Sequence, residues 1–190
     1  MKSNKKKKII GRYNDTSNFY DERYKIIQKE KFEFALNRYN YFEKCILDAG
    51  CGTGLLYEFI SLKSNGIQKK FVSIDISVEM LKNLKKKQKS LKKSILISPI
   101  LSDIENIPIR NDIFDAVFSF TSFQNLEDVK KGIIELIRVS KSNAEIKLSI
   151  LKKDQRIDSL LAFIKPLFYD LYESTVKNLE DTFIKGKVLK

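Results

Sequence analysis

The chain reads as an α/β protein built on one doubly wound, mostly parallel sheet. Three observations lead there. Short apolar strands alternate with helical stretches along the chain, which is the signature of crossover connections and a sheet covered by helices. The strands are apolar on both faces, as parallel strands buried on both sides must be. The third strand contains Pro99, which cannot donate to a ladder and therefore belongs at an edge. In a sheet ordered 3-2-1-4-5 the third strand is the edge.

The elements follow in order. Residues 1–18 have no apolar period and carry a turn-like Asn14-Asp15-Thr16-Ser17-Asn18 run, so they read as a basic tail and entry loop. From about Phe19 to Tyr39 the pattern is helical, with Tyr20, Tyr24, Ile27, Phe34 and Arg38 at spacings of three and four. Cys45-Ile46-Leu47 is a short strand that runs into Asp48-Ala49-Gly50-Cys51-Gly52-Thr53-Gly54. Leu55–Lys63 is a helix, stopped by Ser64-Asn65-Gly66 with Gly66 as a left-handed cap. Phe71–Asp75 is the second strand, and Ser77 caps a helix from Val78 to about Lys89. Ile95–Leu101 and Phe114–Phe120 are the next strands. A helix over Leu126–Val139 puts Val129, Ile133, Leu136 and Ile137 on one face. Glu145–Leu151 is a fifth strand, Arg156 to about Lys177 a helix kinked at Pro166, and Thr182–Leu189 a last strand.

Composition narrows the chemistry. The 190 residues suit one domain with a real core. No apolar run is long enough to cross a membrane, and Met1 starts a basic stretch without the apolar segment of a signal peptide. Two cysteines cannot make a disulfide framework; with the missing signal, this places the chain in the cytoplasm. The count of zero His removes Ser-His-Asp and Cys-His catalysis and His-bound metals at once, and two thiols are too few for a Cys-only metal site. The net charge of +12 is clustered, in Lys2 to Arg12 and again in Lys82 to Lys93. Such runs suit a phosphate backbone, and equally a solvated helix face and a tail.

In a doubly wound sheet the ligand crevice lies beyond the carboxyl ends of the strands, where strand order reverses between the first and fourth. The Gly50/Gly52/Gly54 turn falls there. A dinucleotide site would want G-x-G-x-x-G; the spacing here is G-x-G-x-G. An acid, Asp48, precedes it and would repel a pyrophosphate while favouring an ammonium or sulfonium. Asp75, ending the second strand, can accept both hydroxyls of a ribose, and Ile76 can pack a base.

Leu47-Asp48-Ala49-Gly50-Cys51-Gly52-Thr53-Gly54 resembles the first motif of the class I S-adenosylmethionine-dependent methyltransferases, of the type 11/25-like kind. Ser73-Ile74-Asp75-Ile76-Ser77 resembles their second motif, Ser102-Asp103-Ile104 the position whose acid meets the adenine amino group, and Phe114–Ser119 with Gln124-Asn125-Leu126-Glu127-Asp128 the fourth-strand region. The likeness covers about Glu43 to Leu151. It implies a seven-stranded Rossmann-like sheet ordered 3-2-1-4-5-7-6, with S-adenosylmethionine as cofactor and S-adenosylhomocysteine as product. It also implies binding by Asp48, Ala49, Gly50, Cys51, Gly52, Gly54, Asp75, Ile76, Asp103, Ile104 and Ser119. The domain plan is a tail at 1–18 and one domain at 19–190, comprising a helical lid at 19–42, a cofactor core at 43–151 and a closing helix and strand at 152–190. With so few residues after strand five, the family's final hairpin is expected in reduced form.

As in related enzymes, the N-terminal helix with Tyr13, Tyr20, Tyr24 and Arg38 is expected to form a lid over the cofactor, or else its aromatics are plain core; Gln124 and Asn125 are further candidates for lid or substrate contact, and no residue stands out as the general base. Methyl transfer from a sulfonium requires no metal. Three readings of the acceptor stay open: RNA or a translation component, suggested by the lysine runs; a small molecule; or a subunit, catalytic or a non-catalytic scaffold, completed by a small activator protein at the edge strand near Pro99. Nothing calls for a membrane partner.

Overall fold

The computed structural model describes residues 3–37, 39, 45–63, 69–90 and 95–190. Its centre is a seven-stranded sheet in the order β3-β2-β1-β4-β5-β7-β6. The strands are β1 Cys45–Ala49, β2 Lys69–Asp75, β3 Ile95–Leu101, β4 Phe114–Ser119, β5 Ser140–Leu151, β6 Phe168–Thr175 and β7 Asp181–Val188. β1 to β5 pair in parallel, and β7 runs antiparallel between β5 and β6. Pro99 lies opposite Ser73 on the outermost strand, where its missing N–H faces no partner.

Two apolar layers follow from the alternation of side chains along each strand. Leu47, Val117, Ile146 and Leu148 face α5 (Val129–Val139) and α6 (Ile157–Ile164), through Ile133, Leu136 and Leu160. Ile46, Phe71, Ala116 and Phe118 face the other way, against Phe32 of α2 (Tyr20–Ala35), Leu55 and Ile60 of α3 (Leu55–Lys63), and Leu84 of α4 (Val78–Ser90). Because neighbours such as Ile46 and Leu47 are both fully buried, on opposite faces, a slip of one residue would empty both layers.

Four expectations are corrected. Residues 4–16 are not a tail but a helix, α1 (Asn4–Thr16), capped by the Ser3 hydroxyl, which accepts from Lys6 N–H at 3.3 Å. It buries no residue, so it leaves no apolar period in the sequence. The stretch from Arg156 is helical only to Ile164. Pro166 then ends it in a single turn, Lys165–Leu167, and the aromatic Phe168-Tyr169 pair opens β6. The closing hairpin is therefore complete rather than reduced. Gly186 on β7 makes room for it, since a Cβ there would stand 2.9 Å from the Phe168 ring. The fifth helix starts at Val129, capped by Asp128, and Phe123–Asn125 forms a separate turn before it. Asn143 has φ +64°, the left-handed geometry required before the paired part of β5. The Gly66 cap and Arg38 lie outside the described residues.

Candidate active site

The site grows from the turn between β1 and α3. The amides of Gly50 and Cys51 both donate to Ile74 O, at 2.8 and 3.0 Å, which locks the turn onto the end of β2. Gly54 has φ +81°, and a Cβ there would lie 2.4 Å from Leu84; only glycine lets α4 close against this turn. Gly52 has φ +53°, and a Cβ there would meet nothing nearer than Tyr20 at 3.9 Å. Its backbone thus faces open space under α2.

Asp75 stands at the carboxyl end of β2, nine-tenths buried. Its two oxygens accept from Gly52 N–H and Ser77 N–H, each at 2.8 Å. One lone-pair position per oxygen stays available, and two parallel acceptors suit a vicinal diol. Burial raises the Asp75 pKa, and its backbone hydrogen bonds pull the other way. Around it opens a crevice walled by Tyr13, Tyr20, Gly50, Ile76, Met80 and Ile104 among others.

At the far end of the crevice Lys6 of α1 reaches Asp103 at 2.6 Å and Glu105 at 2.9 Å. Burial works against the Lys6 ammonium, but its bonds to Asp103 and Glu105 raise its pKa overall. Asp103 also accepts from Glu105 N–H at 3.0 Å, so it enters the crevice already partnered. Asn125 is held by Arg12 at 3.1 Å and donates to the Tyr13 hydroxyl at 2.9 Å.

The anticipated residues divide into three groups. Gly50, Gly52, Asp75, Ile76, Asp103, Ile104, Tyr13, Tyr20 and Asn125 line the crevice. Asp48 and Cys51 line a smaller cavity next to it. The rest support the walls. Ala49 is fully buried, and its carbonyl accepts from the Ser119 hydroxyl at 2.8 Å, tying β4 to β1. Gly54 packs on Leu84, Tyr24 packs tilted against Tyr20 with ring centres 4.8 Å apart, and Gln124 donates to Thr121 O. Lys6, Ile9, Glu105, Thr121 and Ser122 line the crevice unanticipated. The only signal for Lys6 was the basic run, which carries no period to place it.

Asp48 supplies the test of what fits. It is 2% exposed, and its Oδ2 has no hydrogen-bond partner. Burial first, then the nearby charge of Asp75, hold its pKa well above the usual carboxylate range. A buried, unpaired carboxylate is costly, and a ligand cation relieves it. Two carboxylate acceptors, one of them unmatched, and apolar walls fit a nucleoside that carries an amino acid.

A parallel sheet that reverses order beside a glycine turn and a buried acid at the end of β2 has the class I, Rossmann-like arrangement. A family model for the methyltransferase domain matches residues 47–147. The chain belongs to this family of S-adenosylmethionine-dependent methyltransferases. It is 39% identical over 106 residues to a malonyl-[acyl-carrier protein] O-methyltransferase of Hamiltonella defensa subsp. Acyrthosiphon pisum, a match covering 56% of this chain and 37% of that protein. It is 31% identical over 134 residues to the ubiquinone/menaquinone biosynthesis C-methyltransferase UbiE of Wigglesworthia glossinidia brevipalpis, covering 67% and 48%. The chain thus spans half or less of the length of these relatives. In fold it matches the magnesium protoporphyrin IX methyltransferase of Synechocystis PCC 6803, solved with bound SAM, at a TM-score of 0.74, 15% identity and 99% coverage of both chains.

Proposed function

We propose that this chain transfers the methyl group of S-adenosylmethionine to a carboxylate oxygen of a small acceptor, free or carried as a thioester. The observation behind it is the pairing of Asp75, with its free acceptor positions, and the unmatched Asp48 on either side of Gly50-Cys51-Gly52. When bound, the cofactor supplies a sulfonium-activated methyl carbon for in-line displacement. Asp75 would fix the ribose, Ile76, Met80 and Ile104 would wall the base, and Asp48 would face the amino-acid end.

The acceptor class follows from what the chain offers beyond β4. That wall is Phe120, Thr121, Ser122 and Asn125, with no carboxylate or amine among them. Tyr20 is kept protonated because burial, and then its acidic and phenolic neighbours, push its pKa up. With no carboxylate or amine among these four residues to take a proton, an acceptor that arrives ionised suits that wall best. Malonyl O-methylation by the Hamiltonella relative is chemistry of that type.

The expected RNA acceptor has less support. Lys5 donates to Leu126 O at 2.8 Å, Lys6 is paired with Asp103 and Glu105, and Arg12 with Asn125. Lys5, Lys6 and Arg12 thus each spend a bond within the chain that a phosphate backbone would have to compete for. An activator protein at β3 stays a proposal resting on that strand's free edge.

Transfer of labelled methyl into malonyl-[acyl-carrier protein] and into the RNA, protein and small-molecule fractions of a lysate tests this. Label is expected in the malonyl ester or another small carboxylate, and Asp75→Ala should abolish it. Label confined to RNA would overturn the acceptor class.

A further inference from the structure

The two faces of β5 differ in character. Its apolar residues Ile146, Leu148 and Ile150 all join the layer under α5 and α6. Alternation therefore turns Glu145, Lys147 and Ser149 toward the α2 side, where a strand between two others ordinarily carries apolar groups. Lys147 is 4% exposed there. Its ammonium lies 4.7 Å from the centre of the Tyr39 ring and 3.6 Å from Glu145. Lys185 of β7 is its direct cross-strand partner, half exposed and also 3.6 Å from Glu145. Like charges directly opposite weaken a pair of strands, and a sequence keeps such a local conflict chiefly at functional sites.

Between these lysines and the end of α2 runs a groove, with rings from Phe34, Phe120, Phe183 and Tyr172. Phe34 meets Phe183 edge to face with centres 4.9 Å apart, and Phe34 and Tyr172 are 40% and 63% exposed. Phe120 also borders the cofactor crevice, so the groove opens beside the wall where the methyl group is to be accepted. We infer that this groove holds the body of the acceptor, and that the acceptor is a dicarboxylate whose two acids are separated by an apolar chain or ring. This rests on the carboxylate acceptor proposed above and names its class. One carboxylate stands against Thr121 and Ser122, the spacer lies along Phe34, Phe120 and Phe183, and the second carboxylate meets Lys185 and Lys147. The reacting oxygen gives a lone pair to the methyl carbon as the C–S pair returns to sulfur, so no proton moves. The distant anion offsets the repulsion across the β5–β7 pair.

Transfer of labelled methyl into two matched series tests the assignment: the straight-chain diacids from succinate to sebacate, with terephthalate, and the monoacids from butyrate to decanoate, with benzoate. The readout is the ratio of kcat/KM for each diacid to that for its monoacid, taken on one protein so that any loss of folded material cancels. At the spacer length that spans the groove the native protein should favour the diacid by about tenfold or more, the worth of a hydrogen bond to a charged group. Lys185→Met, at a half-exposed position, should bring that ratio close to one, and Lys185→Glu should invert it. A native ratio near one at every length would overturn the inference, as would a ratio that Lys185→Met leaves unchanged. Label in malonyl-[acyl-carrier protein] but in neither series would overturn the dicarboxylate and spare the carboxylate reading. Label in none of the three would bring down both.

Discussion

Asp48 shows how one side chain links burial to ligand charge. With burial and Asp75 both lifting its pKa, the ligand-free protein binds a proton there that an unfolded chain, with a carboxylate near pKa 3.9, would have released. The sign follows. A raised folded-state value gives stability that is complete below the unfolded pKa and is lost as pH rises through the folded one. Asp75, shifted the same way by burial, adds to that loss. A ligand ammonium reverses it by favouring the ionised Asp48. Binding of S-adenosylhomocysteine should therefore release protons, and its affinity should rise with pH until Asp48 is ionised in the free protein, then level off. Calorimetry in two buffers of different protonation enthalpy measures this directly. Asp48→Asn should reduce the release, leaving only what Asp75 contributes. Heats independent of buffer in the native protein would count against an unmatched Asp48.

At the scale of elements, legibility in the sequence tracked apolar periodicity. The helix Leu55–Lys63 and the strand Ile95–Leu101 were readable to the residue, because each buries a regular apolar set. The glycine turn and Asp75 were readable because strand ends and missing side chains are local facts. α1 was not, since it docks through the tips of polar side chains: Lys6 on Asp103 and Glu105, Asn14 on Ser77, Ser3 on Glu127. β6 was missed because its strand face is half exposed and its order depends on β7, far along the chain from Pro166. For the same reason Lys6 could not be assigned to the crevice in advance. A helix held by polar bonds has a predictable weakness. Lys6 and its partners are partly exposed, so salt screens them in part. Dissociation of S-adenosylhomocysteine, followed by stopped-flow displacement, should speed up several-fold between about 0.05 and 0.5 M salt, where the Debye length falls from ~14 to ~4 Å. Lys6→Met should be fast already at low salt, with a flatter dependence. Equal rates for both proteins would show that α1 does not cover the ligand.

Across the whole molecule, one buried cluster joins the cover to the closing hairpin. Lys31 on α2 forms an ion pair with Asp181 at the start of β7, with side chains 5% and 0% exposed. Lys31 also donates to the Thr121 hydroxyl at 3.0 Å, and Thr121 and Ser149 both donate to Asp181 at 3.1 Å. Thr121 has φ +53°, a strained conformation for a β-branched residue, and its amide is held by the Ser149 hydroxyl at 2.9 Å. The wall of the crevice beyond β4 is thus shaped by residues from α2, β5 and β7 at once. Removing one charge leaves the other buried and unpaired. Lys31→Ala is expected to cost about 3–5 kcal/mol, a fall in Tm on the order of 10 °C for a chain of this size. Replacing the pair together, Lys31→Met with Asp181→Leu, should recover most of that Tm, because well-packed apolar groups substitute for a buried pair at little or no cost. Hydrogen exchange separates a local effect from a coupled one. If the cluster couples the two elements, amides of α2 and of β7 should lose protection together in Lys31→Ala. Faster exchange confined to α2, with β7 unchanged, would show that cover and hairpin are held independently.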